Sequence, residues 1–363
     1  MPHIIKTVFT LIPMFLVLLL LPKLQAEDSH YEYEVSQEDG TATITGYRGP
    51  GGELIIPATI AGHTVTQVGR RAFMDKDQIT SVRFPNTVTF IGRESFRGCQ
   101  GLTTVYIPES VEHIALPAFN RCQNIENFHV HEDNPSYRSI DGVLFHKDMS
   151  AIRRFPTARA GEYVLPEGVG RIHDGAFSFA KNLTRVTVSE GVTHINKGAF
   201  RDCEALTHVQ LPESLEQFSS KARIFKNCTS LQSIVIPDKV EQLPRRTFRG
   251  CVSLEQVTLP ANLRIIEGQA FYGCTSLKSI VIPAQVERIG GRRRGEVFAG
   301  CDTLTSIYFL GDAPDIQGND NFPWQNEGII IYHTEGASGW PEFGERMEWM
   351  GMPTRTFRPE ELE

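Results

Sequence analysis

Three stretches of this chain are versions of one another: LTTVYIPESVEHIALPAFNRCQN from Leu102, LQSIVIPDKVEQLPRRTFRGCVS from Leu231 and LEQVTLPANLRIIEGQAFYGCTS from Leu254. A fixed period of this length means stacked coils, because one unit cannot bury its own apolar face and must lean on its neighbours. Units open at Ile79, Leu102, Ile125, Leu183, Leu206, Leu231, Leu254, Leu277 and Leu304, mostly 23 residues apart, after a degenerate first coil from Leu54. A chain of 363 residues would otherwise suggest two or three globules. The repeat predicts one continuous array instead, a long surface better suited to binding than to pocketed catalysis.

Within a coil the pattern changes twice. Leu102, Val105 and Ile107 alternate with Thr104 and Tyr106, the period of a strand with one buried face. Proline then closes the strand, at Pro85, Pro108, Pro212, Pro237, Pro260 and Pro283 among others. A short apolar pair follows, such as Val111 with Ile114, and then a turn carrying phenylalanine. Phe73, Phe96, Phe119, Phe177, Phe200, Phe225, Phe248, Phe271 and Phe298 share that one position, and nine rings in register predict a buried spine. The seven cysteines, at 99, 122, 203, 228, 251, 274 and 301, each fall three residues after a spine ring, while Lys76 and Ala180 occupy the position elsewhere. That register reads as a ladder of small buried thiols. Coils lie close enough for occasional bridging, so a disulfide framework stays as the alternative.

The ends are read from composition. Residues 1–26 carry Lys6, an apolar run from Val8 to Leu21, Lys23 and Ala26 before Glu27, the pattern of a secretory signal peptide cleaved after Ala26. Loss of Lys6 and Lys23 would take the formal charge from −7 to −9. An acidic chain lacks the basic footprint of a nucleic-acid binder, and no second apolar stretch predicts a stable membrane span. The expected location is therefore secreted, extracellular or in the cell envelope.

The combination LTSI-x-IP, V-x-x-I and AF-x-GC resembles the BspA-type leucine-rich repeat family over residues 31–340. YEYEVSQEDGTATITGYRGPGGELIIP resembles the strands that cap such arrays, and IYFLGDAP with IIIYHTEGASGW resembles their closing strands and tryptophan cap. Residues 125–166 depart from the period with EDNPSYRSIDGVLFHKD, where Asp141-Gly142 is the expected hairpin turn. The organisation expected is a cap at 27–53, a solenoid at 54–303 with its insertion at about 131–165, and a closing cap and tail at 304–363. The resemblance implies a right-handed, curved, strand-rich array with short turns, exported by a bacterium or microbial eukaryote. It also implies protein binding or cell-surface adhesion as the usual role. Its motif is structural, so it brings no catalytic residue and no cofactor.

Candidate sites are weighed against ordinary surface. Outward strand positions predict two columns, Ser81, Thr104, Asn127, Arg185, His208 onward, and Arg83, Tyr106, His129, Thr187, Gln210 onward to Tyr308. Arg83, Tyr106, Arg185 and Tyr308 are the candidate anchors, since arginine and aromatic side chains dominate binding hot spots; the plain reading is exposed strand residues. Arg97, Arg201, Lys226, Arg249, Arg245 and Arg246 suggest a basic edge, opposed by carboxylates at Glu109, Glu167, Glu190, Glu213 and Asp238. Such edges either keep an array soluble or meet an anionic glycan or acidic protein. A lengthened turn adds Arg292, Arg293 and Arg294 as candidates of the same kind. Host matrix or cell envelope would supply either partner.

No metal spacing, serine elbow or phosphate loop is legible, and the sequons at Asn182 and Asn227 matter only in a eukaryotic secretory host. Two rival classes remain: an envelope scaffold with no specific ligand, favoured by a featureless outer face, and a secreted enzyme or inhibitor using the 125–166 insertion, favoured by clustered carboxylates in a cleft beside it.

Overall fold

The computed structural model describes residues 28–220, 223–291, 295–317, 328–341, 348–349 and 351–362. The fold is a β-solenoid of about 13 turns with almost no helix. Each coil contributes two strands to two separate parallel ladders. Strands of three to five residues, such as Ile79–Arg83, Thr104–Ile107 and Leu183–Thr187, form the long-strand ladder. Two-residue strands such as Phe90–Ile91, His113–Ile114 and His194–Ile195 form the other. Successive strands pair parallel and in register one coil apart, as Val82 with Val105 and Ile91 with Ile114.

The repeat residues go where their period requires. Leu102, Val105 and Ile107 are buried to 2% exposure or less, and all nine spine phenylalanines are buried. Their rings stack coil on coil: Phe200 to Phe225 is 5.2 Å between centroids, Phe225 to Phe248 5.5 Å and Phe271 to Phe298 5.4 Å, with planes within 10°. All seven cysteines are buried and none is in a disulfide. Each thiol donates to the carbonyl of the spine phenylalanine one coil earlier, from Cys99 to Phe73 at 3.0 Å through Cys301 to Phe271 at 3.1 Å. Burial pushes the Cys251 thiol up to about 12, so it packs as a neutral hydrogen-bond donor.

Both ends close with aromatic groups. At the start, Tyr31–Val35 pairs antiparallel with Ala42–Tyr47, and the Tyr47 ring sits 5.3 Å from Phe73 on the end of the spine. At the finish, Trp340 donates to the Gly311 carbonyl at 3.1 Å and stacks on His333 at 4.8 Å. The array continues past this tryptophan, since Met352–Phe357 pairs parallel with Ile330–Thr334. A stretch expected as tail is therefore a ladder strand.

The insertion is where the regularity fails. Tyr137–Ile140 and Val143–His146 form a hairpin across Asp141 (φ 49°) and Gly142 (φ 76°), the two left-handed positions of a tight hairpin turn. Val143–His146 then pairs antiparallel with Ala151–Arg154, which rejoins the short-strand ladder by pairing parallel with Arg171–Ile172. The single column of nine rings becomes two stacks. One runs from Tyr47 to Phe119, and the other starts at Phe155, a ring outside the nine, which lies 5.1 Å from Phe177. Among the described residues no ring contact joins Phe119 to Phe155. The buried core divides at the same place, into one cluster from Ala42 to Leu144 and another from Val143 to Met352.

Candidate binding face and the cleft at the insertion

The outward side chains of the long-strand ladder fall into columns because the ladder is in register. Ser81, Thr104 and Asn127 are paired, as are Arg83, Tyr106 and His129. Farther along, Arg185 pairs with His208 and Ser233 with Gln256, and Val281, Tyr308, Tyr332 and Arg355 complete the last block. The columns are not continuous from end to end. The long strands form three separate sheets, with breaks between His129 and Val164 and between Thr258 and Val281. The insertion causes the first break, by feeding its hairpin against Phe128, whose N–H donates to the Gly142 carbonyl at 3.0 Å. It also returns the chain as Gly161–Val164, a coil that adds Glu162 and exposed Val164 to the columns.

All four strand-face candidates lie on this surface, and each is held by neighbours. Arg83 lies with its guanidinium carbon 3.5 Å above the centre of the Tyr106 ring, while its Nε donates to Glu53 at 2.7 Å. The other side of Tyr106 stacks on His129 at 4.9 Å. Arg185 reaches Glu162 at 3.3 Å, and Tyr308 stacks on Tyr332 at 4.6 Å with Phe357 edge-on at 5.4 Å. The result is two pre-ordered aromatic patches, near the two ends of the face, around a middle of Thr187, Gln210, Val235 and Thr258. Sequence reasoning missed Glu53, Glu162, Tyr332 and Arg355. The first two sit in coils whose repeat signature is weak, and the last two lie past the final clear phenylalanine. Arg292, Arg293 and Arg294 lie outside the described residues, as does the apolar segment of residues 1–26.

Part of the basic edge is engaged as well. Arg201 contacts Asp202 at 3.0 Å and lies 4.8 Å from the Phe179 ring, and Arg249 lies 4.5 Å from Tyr272. Elsewhere Glu109, His131 and Asp133 bring three exposed ligand-type atoms within 4.8 Å of one another, a group that residue spacing did not suggest.

Beside the insertion the turns separate into a cleft of about 530 Å³. Its origin is a shortened coil. Five residues separate Ile114 from Phe119 and Ile172 from Phe177, but only three separate Ile152 from Phe155. Neighbouring turns therefore lack a matching turn between them. Ladder bonds that join regular coils, such as Ala115 N–H to the Ile91 carbonyl at 2.8 Å, are replaced here by side chains. The Arg153 guanidinium donates to the Ile114 carbonyl, and Tyr137 Oη accepts from Ile114 N–H at 2.9 Å. Arg154 donates to the carbonyls of Gly175 at 2.6 Å and Phe119 at 3.3 Å, and Thr157 donates to the Cys122 carbonyl at 2.5 Å. Burial lowers both arginines, Arg154 to about 10, which still leaves it charged near neutral pH. Two carboxylates, Glu94 and Asp174, line this cleft, against six cationic side chains. It is not the acidic cleft that an enzyme reading of the insertion would favour. Among the described residues no helix is long and apolar enough to cross a membrane.

The BspA type leucine rich repeat region model matches in six copies over residues 66–155, 153–222 and 221–320. One boundary falls in Ala151–Arg154, the strand at which the array resumes after the insertion. Among solved structures, a leucine-rich repeat protein from Bacteroides ovatus is 25% identical with a TM-score of 0.54, covering 84% of this chain and 70% of its own. Another, from Eubacterium ventriosum, is 22% identical with a TM-score of 0.50, covering 74% of this chain and 94% of its own. No curated protein matches the chain. With the family model spanning most of the solenoid, and the stacked coils, phenylalanine spine and thiol ladder now placed, the chain belongs to the BspA-type leucine-rich repeat family.

Proposed function

We propose that this chain is an exported, non-enzymatic binding module that holds an extended protein partner along its long-strand face. The observation that carries this reading is the pair of in-register aromatic patches, Arg83 with Tyr106 and His129 near one end and Tyr308 with Tyr332 near the other. Eight strand spacings of about 4.8 Å separate Tyr106 from Tyr308, on the order of 40 Å, which favours a partner that lies along the array. Rings already fixed by stacking lose little freedom on binding, and that lowers the cost of association. Residues 1–26 are assigned to export, and Arg292, Arg293 and Arg294 to an anionic glycan or acidic protein segment, on their composition alone.

The test is capture of immobilised host matrix proteins and cell-envelope glycans by the chain lacking residues 1–26, followed by the double variant Tyr106→Ser, Tyr308→Ser. Hot-spot loss at two patches predicts a fall in affinity of at least tenfold, with unchanged secondary structure by circular dichroism. Wild-type affinity in the folded double variant would return the array to the scaffold reading. Amino-terminal sequencing of the secreted chain tests export, with Glu27 expected as the first residue.

A further inference from the structure

The cleft at the insertion holds two buried charges that form no ion pair among the described residues. They are Arg153 and Arg154, 7% and 8% exposed. Their partners are the neutral oxygens of Ile114, Gly175, Phe119 and Ser178, and the Nε of each has no partner at all. A guanidinium stays charged in proteins and offers five donors, so Arg154 retains two unused and Arg153 more. Buried charge of this kind is costly unless something of opposite sign approaches. Burial lowers the Arg153 affinity for its proton, and Tyr137 and then Asp174 oppose that through space.

The surroundings add to the same sign. Arg93, Lys197, Arg201 and Arg223 join the two buried arginines around the cleft, on a chain whose formal charge is −7. Between the cations run apolar walls from Ile114, Leu116, Pro117, Phe119 and Leu144. The volume, about 530 Å³, lies within the range of small-molecule sites. None of the strand-face anchors lines it, so it is a second site, independent of the partner-binding face.

We infer that this cleft binds a small organic oxyanion, a carboxylate or a sulfate or phosphate ester on a compact carbon skeleton, with Arg153 and Arg154 as its floor. Guanidinium forks match the paired oxygens of such groups, and the apolar walls cover the skeleton. The shortened coil is what makes room, because the missing turn residues leave a gap that the buried arginines only partly fill.

Isothermal titration of the chain lacking residues 1–26 with inorganic sulfate, inorganic phosphate, glucuronate and glucose tests this at low and at 0.5 M sodium chloride. Saturable one-site binding of at least one of the three anions is expected, weakened by salt, with no heat from glucose; the preferred anion separates carboxylate from sulfate and phosphate. Arg153→Gln should weaken that binding at least tenfold. Because Arg153 also caps the Ile114 carbonyl, its variant could unfold, so the exposed rim pair Arg93→Gln, Lys197→Gln serves as the second measurement and should lose about tenfold without a change in melting temperature. Absence of saturable binding by every anion overturns the inference. So does an affinity left unchanged in the rim pair, or in a folded Arg153→Gln protein. Tyr106→Ser, Tyr308→Ser should titrate as wild type, which keeps this result separate from that of the partner-binding face.

Discussion

The coils after Phe155 and the junction before it solve one problem in opposite ways. From Phe177 to Phe298 each coil leans on the next through three repeated devices: ladder hydrogen bonds, stacked rings and a thiol on the preceding phenylalanine carbonyl. Between Phe119 and Phe155 the strand pairing, the ring stack and the thiol lapse together, leaving a backbone bond from Ala158 N–H to the Ile125 carbonyl at 2.9 Å, and arginine, tyrosine and threonine side chains reach across to the buried backbone groups. Nearest-neighbour solenoids draw stability from each interface in turn. A weakened interface therefore divides the array into two folding units, and the division of the core at Leu144 and Val143 follows it.

Truncation of a spine ring probes the contrast most strongly. Phe248 lies between Phe225 and Phe271, each 5.5 Å away, so Phe248→Ala leaves a closed cavity and should cost about 3–5 kcal/mol. Phe119 borders the cleft, where water can fill the space, and Phe119→Ala should cost about 1 kcal/mol less. Chemical denaturation of both variants checks the difference. Equal losses would show that the junction packs as tightly as the regular stack.

Arg154→Leu comes next. It removes a buried charge, which favours the variant, but strips donors from Gly175, Ser178 and Phe119. Gly175 keeps its bond from Ser178 Oγ at 2.8 Å and Phe119 its long bond from Cys122 N–H at 3.5 Å, so the lost bonds outweigh the relieved charge only modestly, and the net loss should be about 1–2 kcal/mol. In hydrogen exchange the loss should appear first in the amides flanking the junction, with those around Phe271 unchanged. A variant more stable than wild type would mean that Arg154 is kept for its charge alone.

Acid should loosen the same junction. Burial holds His173 down to about 4, helped by the charges of Arg153, His146 and Arg171, and His146 is lowered by burial and by Arg153. Unfolded histidine titrates near 6.5, so between those values the unfolded chain binds more protons and stability falls as pH falls. The contribution is whole above about pH 6.5 and lost toward pH 4. His173 is partly exposed, and after allowance for solvent screening the loss is on the order of 1–2 kcal/mol. Melting at pH 7.5, 5.5 and 4.5 should fall less steeply in His173→Gln than in wild type, and parallel curves would remove His173 from the account.

How much of this the sequence shows depends on whether a residue obeys the period. Phe225, Cys228 and Leu231 repeat, so their burial can be read directly, and Asp141-Gly142 announces its hairpin because its turn demands left-handed backbone. Arg153 and Arg154 give no such signal. Two adjacent arginines look like solvated surface, and the cleft they line comes from two residues that are missing between Ile152 and Phe155. The face was half legible for a related reason. Alternation places Arg83 and Arg185 outward, but their partners Glu53 and Glu162 lie in irregular coils, so both arginines read as free anchors when each already holds a carboxylate.

The smallest predicted effect compares the turns of the two units. Two residues after each spine ring the backbone is left-handed: Gly250, Gly273 and Gly300 supply it in the last coils, whereas Arg121 does so at φ 62° beside the junction. A side chain there costs roughly 1 kcal/mol that glycine does not. Arg121 gives little back, since its guanidinium lies 5.9 Å from the Phe179 ring and its carbonyl bond to Gln100 Nε2, at 2.8 Å, does not need the side chain. Glycine also gains freedom in the unfolded chain, which offsets part of the relief. Arg121→Gly should therefore raise stability by about 0.5 kcal/mol, whereas Gly250→Ala, at φ 77° with its Cβ 2.6 Å from Asn227 Oδ1, should lower it by about 1 kcal/mol. Denaturant midpoints of the two variants decide it. A destabilised Arg121→Gly would show that the long contact over Phe179 helps hold the junction, placing a further arginine among the side chains that bridge the two units.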